Sequence, residues 1–349
     1  MTTVLHFYYG SALGCRLQRA LQSNLDMGFE CCVYVWNDAK NDKFWIPGAD
    51  RVHVEYFKRD RRLAYLVPAL NDFLGLKNVF KKNNCDFVHA HNLECAFYAF
   101  KMGLPVIFDD WEFHWIYYQF AREVSYNILG LPLRWYRNAA VKPILRTMFE
   151  VVPFIVTNSA VAKEYERLGV ESVGVVPNVP LLYERDYAFA VNVLKRKEIS
   201  SCYVGKLTRD SKTILRNTSG LVELWQKHRL GYLHAFEGEN CCNHLDILRS
   251  LRSFHFNLLY WKPIEVHKYY LQNKAFLASV VGVPTIITSS LSSTINLLGE
   301  YALVVDKLEE IPNIIKNYDF SRKYSLHEDH LWEFYGSAIK KAYNKVKAK

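Results

Sequence analysis

Short apolar runs alternate with longer stretches in which apolar residues recur every three or four positions. Val4–Tyr9 is rich in β-branched and aromatic residues and stops at Gly10. From about Leu13 to Met27, Leu13, Leu17, Ala20, Leu21 and Leu25 mark one face of a helix. Further strands are predicted at Cys31–Trp36, Val52–Phe57, Phe87–His91, Pro105–Phe108, Phe154–Asn158 and Val173–Val176. Helical patterns cover Arg61–Lys82, Glu94–Met102 and Ala160–Leu168. Most strand runs are apolar on both faces, as in a parallel sheet sandwiched by helices. The implied class is α/β, doubly wound.

Pro177-Asn178-Val179-Pro180 breaks the rhythm, and a charged stretch follows through Glu198. The alternation then resumes, with strands predicted at Cys202–Val204, Tyr232–Phe236, Asn257–Tyr260, Thr285–Thr288 and Ala302–Val305. Two successive Rossmann-like domains fit this order, residues 1–180 and 181–330. A closing helix over 331–349 is expected to return to the first domain, with its lysines on a solvated face.

Half of the 349 residues are hydrophobic and 23% are charged, a globular composition that excludes a disordered or low-complexity chain. Lys and Arg exceed Asp and Glu by nine, with 20 against 18 up to Pro180 and 24 against 17 beyond it. The second half therefore leans towards an anionic partner. Eight cysteines are too sparse for a disulfide scaffold, and the adjacent pairs Cys31-Cys32 and Cys241-Cys242 read as reduced core residues of a cytoplasmic protein. The first residues lack the basic start of a signal peptide. The longest uncharged apolar stretch, Ala275–Ser289, is interrupted by Gly282 and Pro284 and falls short of the ~20 residues a spanning helix needs. Peripheral contact with a membrane face is the most that is expected. Its candidate segments are Lys58–Leu70 and Arg134–Arg146, where basic residues stand beside aromatic and aliphatic ones. Ordinary amphipathic helices packed on a sheet read the same way. No nucleic-acid recognition motif is present, so nucleic acid is not an expected partner.

Strand-to-helix turns are where α/β sheets bind ligands. The first, Gly10-Ser11-Ala12-Leu13-Gly14, permits close backbone approach at Gly10 and Gly14 but is not GxGxxG, which argues against a dinucleotide site. The more informative turn is Gly205-Lys206-Leu207-Thr208-Arg209-Asp210-Ser211-Lys212, where two ammonium groups beside a helix start would hold a diphosphate. Two surface lysines are the plainer alternative.

That turn resembles the "GR/KL…K" diphosphate clamp of retaining GT-B glycosyltransferases, in particular those of family four. Asp86-Phe87-Val88-His89-Ala90-His91 is similar to the family's "DxVHxH" strand, and Pro105–Glu112 to its "P-V-I-x-D-x-H-E" turn. Val156–Ser159 with Val175–Val179 resembles the segment ending the first domain, and Asn273-Lys274-Ala275-Phe276-Leu277 through Pro284 resembles "P-x-K-x-x-E…G-x-P-V-I". The motifs are short, but they run in the family's order over roughly residues 1–310. The resemblance implies two Rossmann-like domains facing each other across a cleft. It implies a hexosyltransferase that moves a sugar from a UDP- or GDP-linked donor to a glycan, glycolipid or glycoprotein acceptor, lipid-linked acceptors included, with retention. No resident cofactor and no metal are expected; the nucleotide sugar is a co-substrate. Gly205, Lys206, Lys212 and Lys274 are implied to bind the donor diphosphate, Gly238 and Asn273 the nucleotide. Asp110 and His114 are the candidate catalytic pair, and Gly10, Gly14 and His91 the cleft or acceptor loop.

The chain departs from the family at two carboxylates. Leu277 and Tyr269 stand where glutamates are expected, and neither can hydrogen-bond two hydroxyls as a carboxylate does. Glu265 is a nearby acidic residue, four positions early. Trp111 replaces the usual histidine of the first-domain turn. A catalytically weakened GT-B protein that binds a nucleotide or supports a partner transferase is therefore the alternative. His89 and His91 share a strand face that could bind zinc, but no third ligand has a recognisable spacing. Asp109 and Asp110 are contiguous and should point to opposite faces of their strand.

Overall fold

The computed structural model describes the chain except for Ser11, Asn37, Asp38, Lys40, Asn41 and residues 58–69, 112–113, 116–142, 144, 206, 208–215, 238–242 and 348–349. The chain divides into two compact units, with Asn178–Phe334 in the second and the closing helix in the first.

The first unit is built on β1 (Thr3–Tyr8), β2 (Glu30–Trp36), β3 (Val52–Phe57), β4 (Phe87–Ala90), β5 (Val106–Asp110), β6 (Phe154–Val156) and β7 (Val173–Val175). Their order in the sheet is β3-β2-β1-β4-β5-β6-β7, with every pair parallel. Helices α1 (Cys15–Asp26), α2 (Leu70–Lys82), α3 (Leu93–Lys101) and α4 (Ser159–Arg167) form the connections described here. Burial follows position in the sheet: all of β1, β4, β5 and β6 is buried, while the edge strands β3 and β7 are mostly half-exposed. This is why the central strands read as continuous apolar runs.

The second unit opens with α5 (Leu182–Phe189) and continues through β8 (Ser200–Tyr203), α6 (Leu221–His228), β9 (Tyr232–Ala235), α7 (His244–Leu251), β10 (Phe256–Leu259), α8 (Asn273–Ser279), β11 (Thr285–Thr288), α9 (Ser292–Leu298), β12 (Ala302–Val305) and α10 (Ile311–Lys316). Its parallel sheet has the order β12-β11-β10-β8-β9. The charged stretch after Pro180 is not a plain linker. Glu184 of α5 is fully buried, accepts the Leu181 N–H at 2.7 Å and lies 2.5 Å from His244 Nε2 on α7. A polar residue with a designated buried partner looks the same in sequence as one facing water.

Strand ends are set by local chemistry. The expected strand Phe154–Asn158 stops at Val156, because Asn158 turns to cap α4 and accepts the Val161 N–H at 3.1 Å. The final helix, α11 (Gly336–Lys347), packs on β5, β6 and β7 of the first sheet. Among the described residues no helix is long and apolar enough to cross a membrane. The basic segments Lys58–Leu70 and Arg134–Arg146 lie largely outside the described residues.

Candidate active site

Each sheet has one place where the strand order reverses: between β1 and β4 in the first unit, and between β8 and β10 in the second. Sheets of this class bind ligands beyond the carboxyl ends of the strands at such points. Both places carry charged residues.

In the second unit, β8 runs into Gly205, whose φ of 135° suits only glycine. A Cβ there would stand 2.7 Å from Lys274 Nζ, so the glycine also makes room for the ammonium. Lys274 sits in the first turn of α8, beside Asn273, with its Nζ 5.6 Å from the centroid of the Tyr203 ring. The Tyr203 hydroxyl accepts the indole N–H of Trp261 at 3.0 Å, and the Arg216 guanidinium lies 5.8 Å from the Trp261 ring. Among the described residues no carboxylate pairs with Lys274 or Arg216. Burial, and then the charge of Arg216, lower the Lys274 ammonium to about 8. Lys206, Lys212 and Gly238 lie outside the described residues. Next to Gly238, Glu237 lines one part of a groove of about 450 Å³ between α6 and β9, whose other walls include Leu207, Trp225, Arg229 and Leu233.

The two positions where carboxylates were expected hold none. Leu277 is buried in α8 and offers no polar atom. Tyr269 ends a 3₁₀ turn, Glu265–Tyr269, with the Lys268 ammonium 5.1 Å from its ring. Glu265 is exposed and pairs with Lys268 at 2.9 Å, so its charge is already answered.

In the first unit, Asp109 and Asp110 close β5 and go to different partners. Asp109 takes a forked ion pair from Arg16 of α1, with contacts of 2.7 to 3.0 Å, both residues being buried. Arg16 also donates to the Val176 carbonyl at 2.9 Å. His89 Nε2 and His91 Nδ1 face the same carboxylate at 3.6 and 3.5 Å. Asn24 donates to His6 Nε2 at 2.7 Å, and His6 Nδ1 and His91 Nε2 share a hydrogen bond of 2.9 Å. With both rings neutral, these contacts place the His6 proton on Nδ1 and the His91 proton on Nδ1, aimed at Asp109. Tyr343 of α11 contacts His89 Nδ1 at 2.9 Å from the other side. Burial and the neighbouring imidazoles hold His6 well below its usual value and His91 at about 4. Burial alone would raise the Asp109 carboxyl, but Arg16 and the facing imidazoles hold it well below the usual carboxylate range.

His6 is the third imidazole that spacing could not reveal, since it lies 83 positions before His89; one ring nitrogen from each lies within 4.8 Å of the others. Two of these rings point nitrogen to nitrogen and the carboxylate is taken by Arg16, which makes the cluster a buried polar core in which His89 Nε2 and His91 Nδ1 face Asp109 without a hydrogen bond of their own. His91, expected on the acceptor side, is buried in this core. The glycine pair is likewise occupied from within: a Cβ on Gly10 or Gly14 would meet the Tyr8 ring or hydroxyl at 2.6 and 2.8 Å. Both glycines admit a neighbouring side chain.

Asp110 forms the other half. It is fully buried, accepts from the Tyr165 hydroxyl, and contacts His114 Nδ1 at 2.6 Å while also taking the His114 backbone N–H at 3.3 Å. Tyr165 itself packs edge-on against Phe149 and Phe154. Thus the pair Asp110–His114 sits on a rigid aromatic base. Trp111 donates its indole N–H to the His91 carbonyl at 2.7 Å.

Comparison with solved structures follows the same architecture over the whole chain. A sucrose-phosphate synthase from Thermosynechococcus elongatus matches with a TM-score of 0.58 at 13% identity, covering 100% of this chain and 94% of its own. An α,α-trehalose-phosphate synthase (UDP-forming) from Burkholderia xenovorans, in complex with glucose-6-phosphate, matches with a TM-score of 0.61 at 8% identity, covering 98% and 100%. The fold is GT-B. The Anabaena protein HepE, in complex with UDP and glucose, is also similar, with a TM-score of 0.58 at 12% identity and coverage of 99% and 96%. No family model matches the chain, and no curated protein matches it by sequence.

This GT-B chain contains site residues that sequence reasoning missed. Arg16, Asp109 and His6 come together only through the sheet. A histidine inside the apolar run Val4–Tyr9 was the available signal for His6. Arg216 and Trp261 carried none.

Proposed function

We propose that this protein transfers a hexose from a UDP- or GDP-linked sugar to a glycan, glycolipid or glycoprotein acceptor, with retention of configuration and without a metal. The observation that carries this is Lys274, an ammonium without a carboxylate partner among the described residues, at the strand-order reversal of the second GT-B sheet. An anion is what such a group lacks. The UDP and glucose bound by HepE on the same fold support a nucleotide sugar as its source.

In this reading Lys274, with Lys206 and Lys212, stabilises the charge that grows on the departing diphosphate. The bond from the anomeric carbon to the diphosphate oxygen breaks, and the acceptor oxygen bonds to that carbon from the same face. The acceptor proton passes to the departing phosphate oxygen. Gly205 leaves the backbone open to the phosphates, and Asn273 and the segment at Gly238 hold the nucleotide. Asp110 fixes the ring of His114, which hydrogen-bonds the sugar undergoing transfer. Gly10 and Gly14 shape the acceptor loop through the Tyr8 ring they accommodate.

The test is a panel of UDP- and GDP-sugars scored for transfer or slow hydrolysis, with isothermal titration for the nucleotides. One accepted donor is expected, and its anomeric product, read by NMR, reports retention. Silence across the panel together with no nucleotide binding rejects the reading. Buried Leu277 favours a second one, a chain that binds the nucleotide and supports a partner transferase. Nucleotide binding without turnover, with turnover appearing when the partner is added, would select it.

A further inference from the structure

Arg216 belongs to no motif of the sequence, yet its placement repeats that of Lys274. Each cation stands near one ring of a bonded aromatic pair: Lys274 near Tyr203 at 5.6 Å, Arg216 near Trp261 at 5.8 Å, with the two rings joined by the 3.0 Å indole-to-hydroxyl hydrogen bond. Trp261 is fully buried, so the wall is rigid. The chain beside Arg216 is tied to the same wall, because the Lys262 N–H donates to the Asn217 carbonyl at 2.9 Å. Two like charges held on a fixed wall repel. Without an anion between them the arrangement costs stability.

We propose that Arg216 is a diphosphate-binding residue, paired with Lys274 across the Tyr203–Trp261 wall as a two-cation clamp. The inference takes the nature of its anion from the donor reading above. The division of labour follows from the two head groups. Lys274 is a half-buried point charge next to Gly205, whereas exposed Arg216 presents a planar fork that can take two phosphate oxygens at once. Charge near Lys274 comes from Arg216, and Tyr203 feels both Arg216 and, from the end of β9, Glu237. Arg216 thus bears on the state of the lysine as well as on the ligand.

The experiment compares the full chain with Arg216→Gln and Arg216→Lys, using calorimetric titration of inorganic pyrophosphate, UDP and GDP at about pH 7. Losing a charge-assisted contact should weaken pyrophosphate and the accepted nucleotide about 10- to 100-fold in Arg216→Gln. Arg216→Lys should recover part of the loss. In lysine-labelled protein, NMR should show the Lys274 midpoint rising above its value of about 8 in Arg216→Gln but not in Arg216→Lys, which reports that the two cations stand close enough to share one anion. Equal pyrophosphate affinity in all three proteins, or no pyrophosphate binding by the unaltered chain, overturns the clamp. Pyrophosphate binding that depends on Arg216, with no nucleotide bound, keeps the clamp and removes the donor reading instead.

Discussion

At the strand-order reversal of the first sheet, the buried charges answer one another. Arg16 forks onto Asp109, two imidazoles face the same carboxylate, and Asp110 is shared between Tyr165 and His114. At the equivalent place in the second sheet, Lys274 and Arg216 stand on one aromatic wall with no carboxylate among the described residues to meet them. The same topological position has been used in two ways. A closed charge network fixes geometry, and an open one leaves interaction energy for a ligand. The comparison teaches that conspicuous clusters of ionisable residues are not by themselves the binding site; the unanswered charge is the better guide.

The sharpest way to break this contrast is to remove one member of the closed network. Asp109→Ala strands the Arg16 guanidinium in the core, and a loss of ~3–5 kcal/mol in urea denaturation is expected. A change below about 1 kcal/mol would mean that the network is not closed.

Acid should find the same region next. The folded value of His91, about 4, lies below the ~6.5 of an exposed histidine, so the unfolded chain takes up the proton first. Stability is then fully present above about pH 6.5 and falls as pH drops towards 4, by roughly 3 kcal/mol from this group. His6 shifts in the same direction and adds to the fall. Denaturation curves across this range, compared with those of His91→Gln, measure the effect; identical slopes in the two proteins would contradict it.

The smallest effect has the opposite sign. Lys274→Met keeps the aliphatic stem and removes a half-buried charge that opposes Arg216, so the free protein should gain about 1 kcal/mol while losing nucleotide affinity. A stability loss as large as that of Asp109→Ala would place both sheets in one category and end the comparison.

The doubly wound order was legible because strands covered on both faces must be apolar throughout, as Val4, Leu5, Phe7 and Val88 show. The last strands, Thr285–Thr288 and Ala302–Val305, agree with the sequence to the residue. The need for glycine at position 205 was readable too, since only glycine suits its backbone. What could not be read was pairing across the sheet. Arg16 in an amphipathic helix looks like a solvated residue until α1 is laid against β5, 93 positions away. The same holds for the buried Glu184, and for Tyr8, whose ring occupies the space beside Gly10 and Gly14 that close backbone approach seemed to leave open.

Helix α11 places Tyr343 against Phe87 and His89 and covers the flank of β5 to β7. The whole of residues 178–334 is therefore made by the ribosome between the strands of the first sheet and the helix that seals them. During synthesis this flank stays uncovered while the second unit is still emerging. Residues 178–334, which make up most of the second unit, form one stretch that can close earlier, so helix α11 acts as a latch set long after the strands it covers have been made.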